Sequence, residues 1–301
     1  MAGVPPSAEV AVAFVAREKF AWSLASLRRL YALAGVPFRL YFVDGGYPPE
    51  VRPALDAFLA DKSNVVRIAA RRFLYPSEAL NLALAGMAEP HVLLLQNDVL
   101  LGRGALASLL ESAHRLQCDG VSPEVLDSAS GAPQAHHESS MPLAVHEREG
   151  LIWIEPEASS ERREGYRRLH HFELHCMLFR TRSLRALAPL APLNVHEHVD
   201  LALGLRQAGG MVYLDENARV LFMDTPPLPL RDYECAFYRF RWDRTRARLS
   251  QEYVRNKWRM GNLFDPLPFV ERQHGALLPQ NVLQRYDSAL EADQWPAEIS
   301  A

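Results

Sequence analysis

The sequence has 301 residues, enough to bury a substantial hydrophobic core in one large domain or two smaller ones. Hydrophobic residues make up 49% and charged residues 23%, which is typical of a globular protein and excludes a disordered or fibrous one. The formal net charge is −3, with acids and bases interspersed. Because no basic stripe is present, we expect no nucleic-acid partner.

The sequence also predicts where the protein resides. The first nine residues carry no basic cluster followed by an apolar run, so we expect no secretory signal. No apolar stretch approaches the roughly 20 residues that span a bilayer, so we expect no transmembrane segment. Cys118, Cys176 and Cys235 are widely spaced and form no CxxC pattern, which indicates free thiols in a reducing compartment. We therefore expect a cytoplasmic protein.

Strand and helix patterns alternate in the first third of the chain. Short apolar runs predict strands at 10–15, 38–43, 65–68 and 92–95, and residues at helical spacing predict helices between them. Strands separated by single helices form right-handed crossovers, which predicts an α/β fold with a mostly parallel sheet. Ligands bind beyond the carboxyl ends of such strands. Asp44 and Asp98 stand at two such ends, so we expect both to face one crevice.

The middle of the chain is less regular. Residues 127–168 are rich in Ser, Glu, His and Gly, and only 151–154 is typical of a strand. We interpret most of this segment as a long loop, mobile without ligand, that covers the acceptor site. Shorter elements are predicted further on: strands at 172–179, 212–214 and 220–222, and a helix at 199–205.

The last part of the chain mixes aromatic and basic residues at helical spacing from Arg231 to Trp258, and a tail punctuated by prolines follows Gly261. The pattern predicts helices packed on the preceding fold. We divide the chain into a catalytic domain over 1–230 and a helical C-terminal extension over 231–301.

An apolar strand that ends in a carboxylate is the strongest chemical signal. Residues 92–95 lead through Gln96 and Asn97 to Asp98, at the predicted ligand edge of the sheet. A carboxylate there is a suitable ligand for Mg²⁺ or Mn²⁺, which in turn holds a diphosphate. An equally open alternative is that Asp98 caps the turn into the helix near Gly102.

A second signal is the sequence His-Glu-His-Val-Asp-Leu, which begins at His196. Acidic groups are stabilised at a helix start by the helix dipole, so capping by Glu197 and Asp200 is one interpretation. A zinc site is a less favoured one, because no cysteine or further carboxylate spacing supports it. Its ligands would be drawn from His170, His171, His175, His196 and His198.

In this order and spacing, the segments resemble the inverting family 2 glycosyltransferases of the GT-A type, over roughly residues 10–258. Asp98 and its two neighbours match a variant of the family's acidic metal motif, and Glu197-His-Val-Asp200-Leu stands where the family has Glu-Asp-x-Asp-Leu. The other landmarks are the strand ending at Asp44, the stretch 77–84 around Asn81, and Tyr253-Val-Arg-Asn-Lys257-Trp258.

The resemblance implies a GT-A-type α/β fold that moves a sugar from a nucleotide-sugar donor to an acceptor nucleophile with inversion. It implies that Asp44 hydrogen-bonds the nucleotide base and that Asp98 binds Mn²⁺ or Mg²⁺. The acceptor (a glycan, lipid-linked sugar, peptide or small molecule) stays open. The other implied donor-binding residues are Arg17 and Glu18 in the base pocket, Asn81, Asn97, and Arg72 near the phosphates, unless Arg72 is simply exposed.

Two positions depart from the family pattern. His198 stands where the catalytic base is normally Asp, and Phe222 stands where a metal-binding His is common, with Asp224 two residues later as a replacement ligand. An imidazole titrates near neutrality, so His198 preserves base chemistry. Glu197 is the other candidate base, and Asp200 is expected to cap or orient.

Two alternatives stay open. The departures at His198 and Phe222 are compatible with a nucleotide-sugar-binding protein that has lost catalysis. A nucleotidyltransferase on a similar sheet is the other alternative. It needs a glycine-rich phosphate loop after the first strand, and the segment 16–20 contains no glycine.

Overall fold

A computed structural model describes residues 8–70, 72–128, 130–135, 137, 140–157, 162–223 and 231–277. Within these residues, the four strands predicted in the first third of the chain are present with helices between them, and two further strands follow that were not predicted. The strands are β1 (Val10–Val15), β2 (Phe38–Gly45), β3 (Val65–Ala70), β4 (His91–Gln96), β5 (Val99–Leu101) and β6 (Gly120–Asp127). The helices are α1 (Ser23–Leu33), α2 (Arg52–Leu59), α3 (Pro76–Gly86) and α4 (Ala105–Leu116), and a 3₁₀ turn (Phe20–Trp22) precedes α1.

The second half contains more β-structure than the sequence predicted. Its strands are β7 (Leu143–Arg148), β8 (Leu151–Pro156), β9 (Arg162–Arg163), β10 (Tyr166–Leu169), β11 (Cys176–Arg180) and β12 (Val212–Phe222). Its helices are α5 (Thr181–Leu187), α6 (Glu197–Gln207), α7 (Cys235–Arg241), α8 (Arg244–Trp258) and α9 (Leu267–Leu277), with a 3₁₀ turn (Asp232–Glu234) before α7.

Ten of these strands form one mixed sheet, in the order β3-β2-β1-β4-β11-β6-β12-β10-β9, with β5 paired to β12. The strands β3, β2, β1 and β4 are parallel, as predicted. The strand β11 then runs antiparallel to both β4 and β6. The sheet therefore has a parallel half, which resembles a nucleotide-binding fold, and a mixed half that the sequence pattern did not reveal. In the mixed half, β12 runs parallel to β6 and antiparallel to β5 and β10.

Both faces of the parallel half are covered, which explains why every residue of β1 is buried. Alternate side chains of β1 enter two separate apolar layers. Phe14 packs in the layer that contains Leu27 and Leu109 from α1 and α4. Ala13 packs in the opposite layer, with Leu80 of α3.

The segment 127–168 is not mostly loop in the described residues. The strands β7 and β8 pair as a hairpin whose two turn residues, Glu149 and Gly150, have φ of 53° and 71°. A two-residue hairpin turn of type I′ requires positive φ at both positions, and Gly150 adopts it without strain. The sequence pattern missed the hairpin because β7 ends in a charged, exposed run. That this segment covers the acceptor site stays a prediction.

Two other elements differ from their predictions. Residues 212–214 and 220–222 belong to the single strand β12, which shifts register between Asp215 and Arg219. A bulge of this kind interrupts the alternation of buried side chains, so the strand looked like two. The tail after Gly261 includes α9, whose proline lies in the first turn, where no backbone N–H is needed.

The C-terminal helices pack on the rest of the fold. Trp242, after α7, lies in an apolar cluster with Val195 and Val270, and Val254 of α8 packs with Val145 and Val199. The division of the chain at residue 230 stays a prediction, since residues 224–230 lie outside the described part. None of the described helices is both long and apolar enough to cross a bilayer.

Candidate active site

The carboxyl ends of β1, β2 and β4 meet at one edge of the sheet. Val15, the last residue of β1, is paired with Gln96, the last residue of β4. The backbone N–H of Asn97 donates to Val15 O at 3.1 Å, which carries the pairing one residue further. This register places Arg17 and Asp98, which follow the two strands, beside each other.

Asp98 is completely buried at this edge. The Arg17 Nη1 lies 3.5 Å from its Oδ2, and the backbone N–H of Arg17 donates to Asn97 Oδ1 at 2.9 Å. Asn97 in turn donates from Nδ2 to Ser23 Oγ at 3.1 Å. Burying a carboxylate is costly unless a positive group compensates it, and Arg17 is that group here.

A second buried ion pair lies close enough to Arg17 to be affected by its charge. The Arg241 Nη2 donates to Glu197 Oε1 at 2.8 Å, and both side chains are more than nine-tenths buried. Arg17 Nη1 is 3.2 Å from Glu18 Oε1, and the indole N–H of Trp242 donates to Glu18 Oε2 at 2.6 Å. We call Arg17, Glu18, Asp98, Glu197, Arg241 and Trp242 the edge cluster.

The charges of the edge cluster act on one another. Burial acts to raise the pKa of Glu197, but Arg241, His198 and Arg17 together outweigh it and hold that pKa below its ordinary value. Glu197 is therefore a carboxylate and a weak base. The Nε and Nη1 of Arg241 are buried and have no hydrogen-bond partner within the described part of the chain. Buried N–H donors of this kind suit an anionic ligand.

The start of α6 brings the candidate bases to this edge. His196 precedes the helix in the left-handed region, with φ of 61°, an uncommon conformation for a residue with a side chain. His198 is one-fifth exposed, and its Nε2 lies 3.6 Å from Glu173 Oε1. Asp200 Oδ1 accepts from Trp258 Nε1 at 2.6 Å and Lys257 Nζ at 2.7 Å, which ties it to the end of α8.

Phe222 forms an aromatic wall beside Arg17. The Arg17 guanidinium carbon lies 5.2 Å from the centre of the Phe222 ring, and the His175 ring lies 4.1 Å from it on centroids. His175 Nδ1 is 2.8 Å from Gln96 Oε1. An apolar ring thus occupies the position where the resemblance led us to look for a metal-binding histidine.

Asp44 stands at the end of β2 on the same edge. Its carboxylate pairs with Arg52 Nη1 at 2.7 Å and accepts from the Tyr47 N–H at 3.1 Å. Burial raises the pKa of Tyr47, and the charges of Asp44 and Asp98 add to the rise. Tyr47 is therefore a neutral phenol close enough to both carboxylates to feel their charge.

Two other predicted residues are not part of the edge cluster. Arg72 is half-exposed and pairs with Glu78 at 2.6 Å. Asn81 holds the backbone of Leu190, donating to its O at 2.8 Å and accepting from its N–H at 2.9 Å. Asp224 lies outside the described residues. The binding roles of these residues stay predictions.

Comparison with known proteins identifies the architecture. No protein-family model matches the sequence, and no curated protein matches it. A crystal structure of GalNAc-T7 with UDP, GalNAc and Mn²⁺ superposes with a TM-score of 0.58 at 10% identity, covering 96% of this chain and 58% of that chain. The mannosyltransferase PcManGT from Pyrobaculum calidifontis, in complex with GDP-Man and Mn²⁺, gives 0.53 at 14% identity, covering 97% and 77%.

Both structures are glycosyltransferases of the GT-A type. The chain has a GT-A-type fold. The fold predicted from the resemblance is thereby confirmed. The chain spans 58% of the length of the GalNAc-T7 chain, so the comparison extends over only part of that protein.

Sequence reasoning missed several members of the site on this GT-A-type scaffold. Lys19 is in the left-handed region, with φ of 54°, and its Nζ donates to Met223 O at 2.9 Å. Neither feature can be predicted from the sequence. The mixture of aromatic and basic residues predicted a helical segment around Arg241 and Trp242 but no role for either residue. Glu173 lies beside His198 only in the folded structure, so their contact could not be predicted from the sequence.

The geometry does not support the zinc site considered around the histidines near α6. His171 and His198 have ring centres 5.1 Å apart, whereas His175 faces Gln96 and Phe222. Among the residues that the structure describes, three metal-ligating groups converge at only one place, which lies elsewhere in the fold.

The largest of the cavities described here does not coincide with the edge cluster. A cavity of about 270 Å³ lies between β10 and the end of α6, apart from the edge cluster. Its lining includes Arg168, His170 and Arg206. A much smaller cavity of about 20 Å³ reaches Glu197 and Asp200. We place the site at the edge cluster, because charged side chains are buried together there and lower the pKa of Glu197, which is a stronger sign of function than volume.

Proposed function

We propose that this chain is a glycosyltransferase that transfers a sugar from a nucleotide-sugar donor to an acceptor nucleophile, with inversion and with the help of a divalent cation. The observation that carries the proposal is the edge cluster, in which Asp98, Arg17, Glu197 and Arg241 are buried together at the ligand edge of a GT-A-type sheet. Apolar residues in these positions would stabilise the fold as well as the charged ones do, or better. The presence of several buried charges therefore favours a functional explanation.

The cluster suits a donor that carries a diphosphate. Two guanidinium groups, Arg17 and Arg241, are buried in the cluster, and the Nε and Nη1 of Arg241 have no hydrogen-bond partner in the described residues. GalNAc-T7 was crystallised with UDP and PcManGT with GDP-Man, which supports nucleoside diphosphates as the donor class. We propose that Asp44 binds the base, with Arg17 and Glu18 lining its pocket.

The donor set at Asp98 fits a divalent cation of the hard class. Mg²⁺ is commonly held by one or two carboxylates, with substrate phosphates and water supplying its other ligands. Asp98 supplies one such carboxylate, and its burial requires a positive neighbour. When bound, Mn²⁺ or Mg²⁺ would take up charge on the departing diphosphate. The neighbours that contain Mn²⁺ support this assignment without deciding between the two ions.

His198 is the best-placed general base of the three candidates. Glu197 is paired with Arg241, and Asp200 is paired with Lys257 and Trp258. His198 is partly exposed and lies 3.6 Å from Glu173, whose carboxylate can orient the imidazole and stabilise it once protonated. We propose that His198 removes the proton from the acceptor nucleophile as it attacks the anomeric carbon, while Glu173 holds the ring.

Phe222 favours one other candidate function. Because this ring stands where a second metal ligand is expected, the protein is also suited to bind a nucleotide sugar without turning it over. Release of free nucleotide from the donor separates the two functions, since a binding protein releases none.

The proposal is tested by a thermal-shift panel of UDP-, GDP-, dTDP- and CDP-sugars with Mn²⁺ or Mg²⁺, followed by a turnover assay with the sugar that binds. A donor present at about 100 times its Kd stabilises the fold by about 2.7 kcal/mol, enough to raise the melting temperature measurably. We expect Asp98→Asn to lose this shift and the exposed Asp61→Asn to keep it. Absence of any shift in the wild type would refute the assignment.

The same assay separates binding from chemistry. We expect His198→Ala to keep the thermal shift but to lose about 10²–10⁴-fold in turnover, the usual value of a general base. His146, which is exposed on β7, provides the matched control, because His146→Ala should leave both readouts unchanged. An active His198→Ala enzyme, together with an inactive Glu197→Gln, would transfer the role of base to Glu197.

A further inference from the structure

A separate group of metal-ligating side chains lies at the amino ends of β1 and β4, on the edge of the sheet opposite the edge cluster. Glu9 immediately precedes β1, His91 begins β4, and His114 lies in the last turn of α4. The His91 N–H donates to Glu9 O at 3.2 Å, so the pairing of the two strands brings their side chains together. Neither the proposed reaction nor the donor uses these residues.

The ligand atoms of the three side chains converge on a common point. His114 Nε2 is 2.6 Å from Glu9 Oε1, and His91 Nδ1 is 3.8 Å from the same oxygen. All three atoms lie within 4.8 Å of one another. Atoms bound to one tetrahedral zinc at about 2.0–2.1 Å lie about 3.3 Å apart, so small movements of the exposed Glu9 and His114 would complete the geometry.

His91 provides independent support for a ligand at this place. Its side chain is nine-tenths buried, and its Nδ1 has no hydrogen-bond partner within the described part of the chain. A buried imidazole nitrogen that faces a carboxylate and a second imidazole without a hydrogen bond is costly in free energy. A metal ion would satisfy that nitrogen.

We infer that Glu9, His91 and His114 form a zinc-binding site, with water as the fourth ligand, that ties the start of β1 to β4 and α4. Two histidines and one carboxylate are an established ligand set for Zn²⁺. His114 lies at the carboxyl end of α4, where the partial negative charge of the helix favours a cation. This site goes beyond the proposed function and does not depend on it.

Two charges of opposite sign act at His91. The Glu9 carboxylate favours a cation there, and the Arg180 guanidinium opposes one.

The test is a titration of the metal-free full chain with Zn²⁺ by calorimetry, followed by thermal melts with and without zinc. We expect one zinc ion per chain at this site and a higher melting temperature with zinc. Because Glu9 and His114 are about half-exposed, Glu9→Gln and His114→Ala should fold normally. Each should weaken zinc binding by at least the roughly 10–100-fold that follows the loss of a residue that only supports a ligand. His146→Ala and Asp98→Asn are the controls and should retain this zinc ion.

Three results would overturn the inference. One is a wild-type chain that binds no zinc, and another is a pair of variants that bind it as tightly as the wild type does. The third is a zinc ion lost in Asp98→Asn and kept in His114→Ala, which would place the metal at the edge cluster. The donor panel uses Mn²⁺ or Mg²⁺, so its failure would not affect this test.

Discussion

At the scale of single residues, the backbone conformation before α6 positions a side chain of the candidate site. His196 takes up the left-handed conformation, and its Nε2 has no hydrogen-bond partner in the described residues. Such strain is usually tolerated where it positions a neighbour. Here the neighbour is Glu197, which the turn at His196 directs into the pair with Arg241.

Burial, with a smaller contribution from the charge of His198, lowers the pKa of His196 to about 4, although Glu197 opposes the change. The unfolded chain protonates this histidine near its ordinary pKa of about 6.5. Between these two values the unfolded state binds more protons than the folded state. The contribution of His196 to stability is therefore neutral above about pH 6.5 and becomes destabilising as the pH falls towards 4.

This linkage predicts the behaviour of His196→Asn, a substitution that removes the titrating group but tolerates the left-handed conformation. Between pH 7 and pH 5, we expect the wild type to lose about 2 kcal/mol more of its free energy of unfolding than the variant loses. Urea denaturation at several pH values measures both curves. Parallel curves for the two proteins would show that His196 is already solvated or protonated in the folded state.

At the scale of elements, the hairpin of β7 and β8 is attached to the C-terminal part of the chain. The Ile152 N–H donates to Arg259 O at 3.0 Å, and the Gly261 N–H donates to Ile152 O at 2.7 Å. Asn262 exchanges two hydrogen bonds with the backbone of Ile154, at 2.8 Å and 2.7 Å. Residues 259–262 therefore extend the hairpin on its β8 side.

Gly261 is required at this junction because a Cβ there would collide with the indole ring of Trp153. We expect Gly261→Ala to lower the free energy of unfolding by about 1–3 kcal/mol, the usual cost of overpacking. Hydrogen exchange at Ile152 and Ile154 should also become faster. Gly86→Ala is the matched control, since its Cβ would lie 3.7 Å from Tyr41, an ordinary contact. Equal stability and exchange in both variants would contradict the proposed attachment.

The sequence predicted elements well where local patterns determine them. The strand β1 has the predicted bounds, and α3 begins at the predicted Pro76, where the Glu78 carboxylate accepts from the Tyr75 N–H at 2.9 Å. The hairpin of β7 and β8 was missed because β7 ends in a charged, exposed run, and because its contacts with residues 259–262 join segments that are far apart in sequence. Patterns within one segment do not carry such contacts.

The same distinction applies to the candidate site. Asp98 and Asp44 were predicted at one edge because strand order alone brings them there. Arg241 and Glu173 were not predicted, since their positions depend on how α7 and the segment before β11 fold back onto α6. The partnership of Glu18 with Trp242, across 224 positions of the chain, could not be inferred from either residue alone.

At the scale of the whole molecule, α7 joins the C-terminal helices to the main core. Phe237 is 1% exposed and packs edge-on against Phe20 at 5.0 Å and Phe73 at 5.3 Å. The next turn of the same helix supplies Arg241 to the edge cluster. The C-terminal helices thus contribute both to the core of the first half and to the candidate active site.

This arrangement predicts that the protein unfolds in one transition. Phe237→Ala removes a buried ring and should lower the free energy of unfolding by about 3–5 kcal/mol. Tryptophan fluorescence, which includes Trp242 and Trp258 in the C-terminal part, and far-UV circular dichroism should shift together, since coincident probes indicate two-state unfolding. Phe264→Ala is the control, because that ring is 64% exposed and its loss should change stability by at most about 0.5 kcal/mol. If the fluorescence transition moved alone, the helices after residue 230 would be an independently folding unit, and Arg241 would reach the site only after that unit had docked.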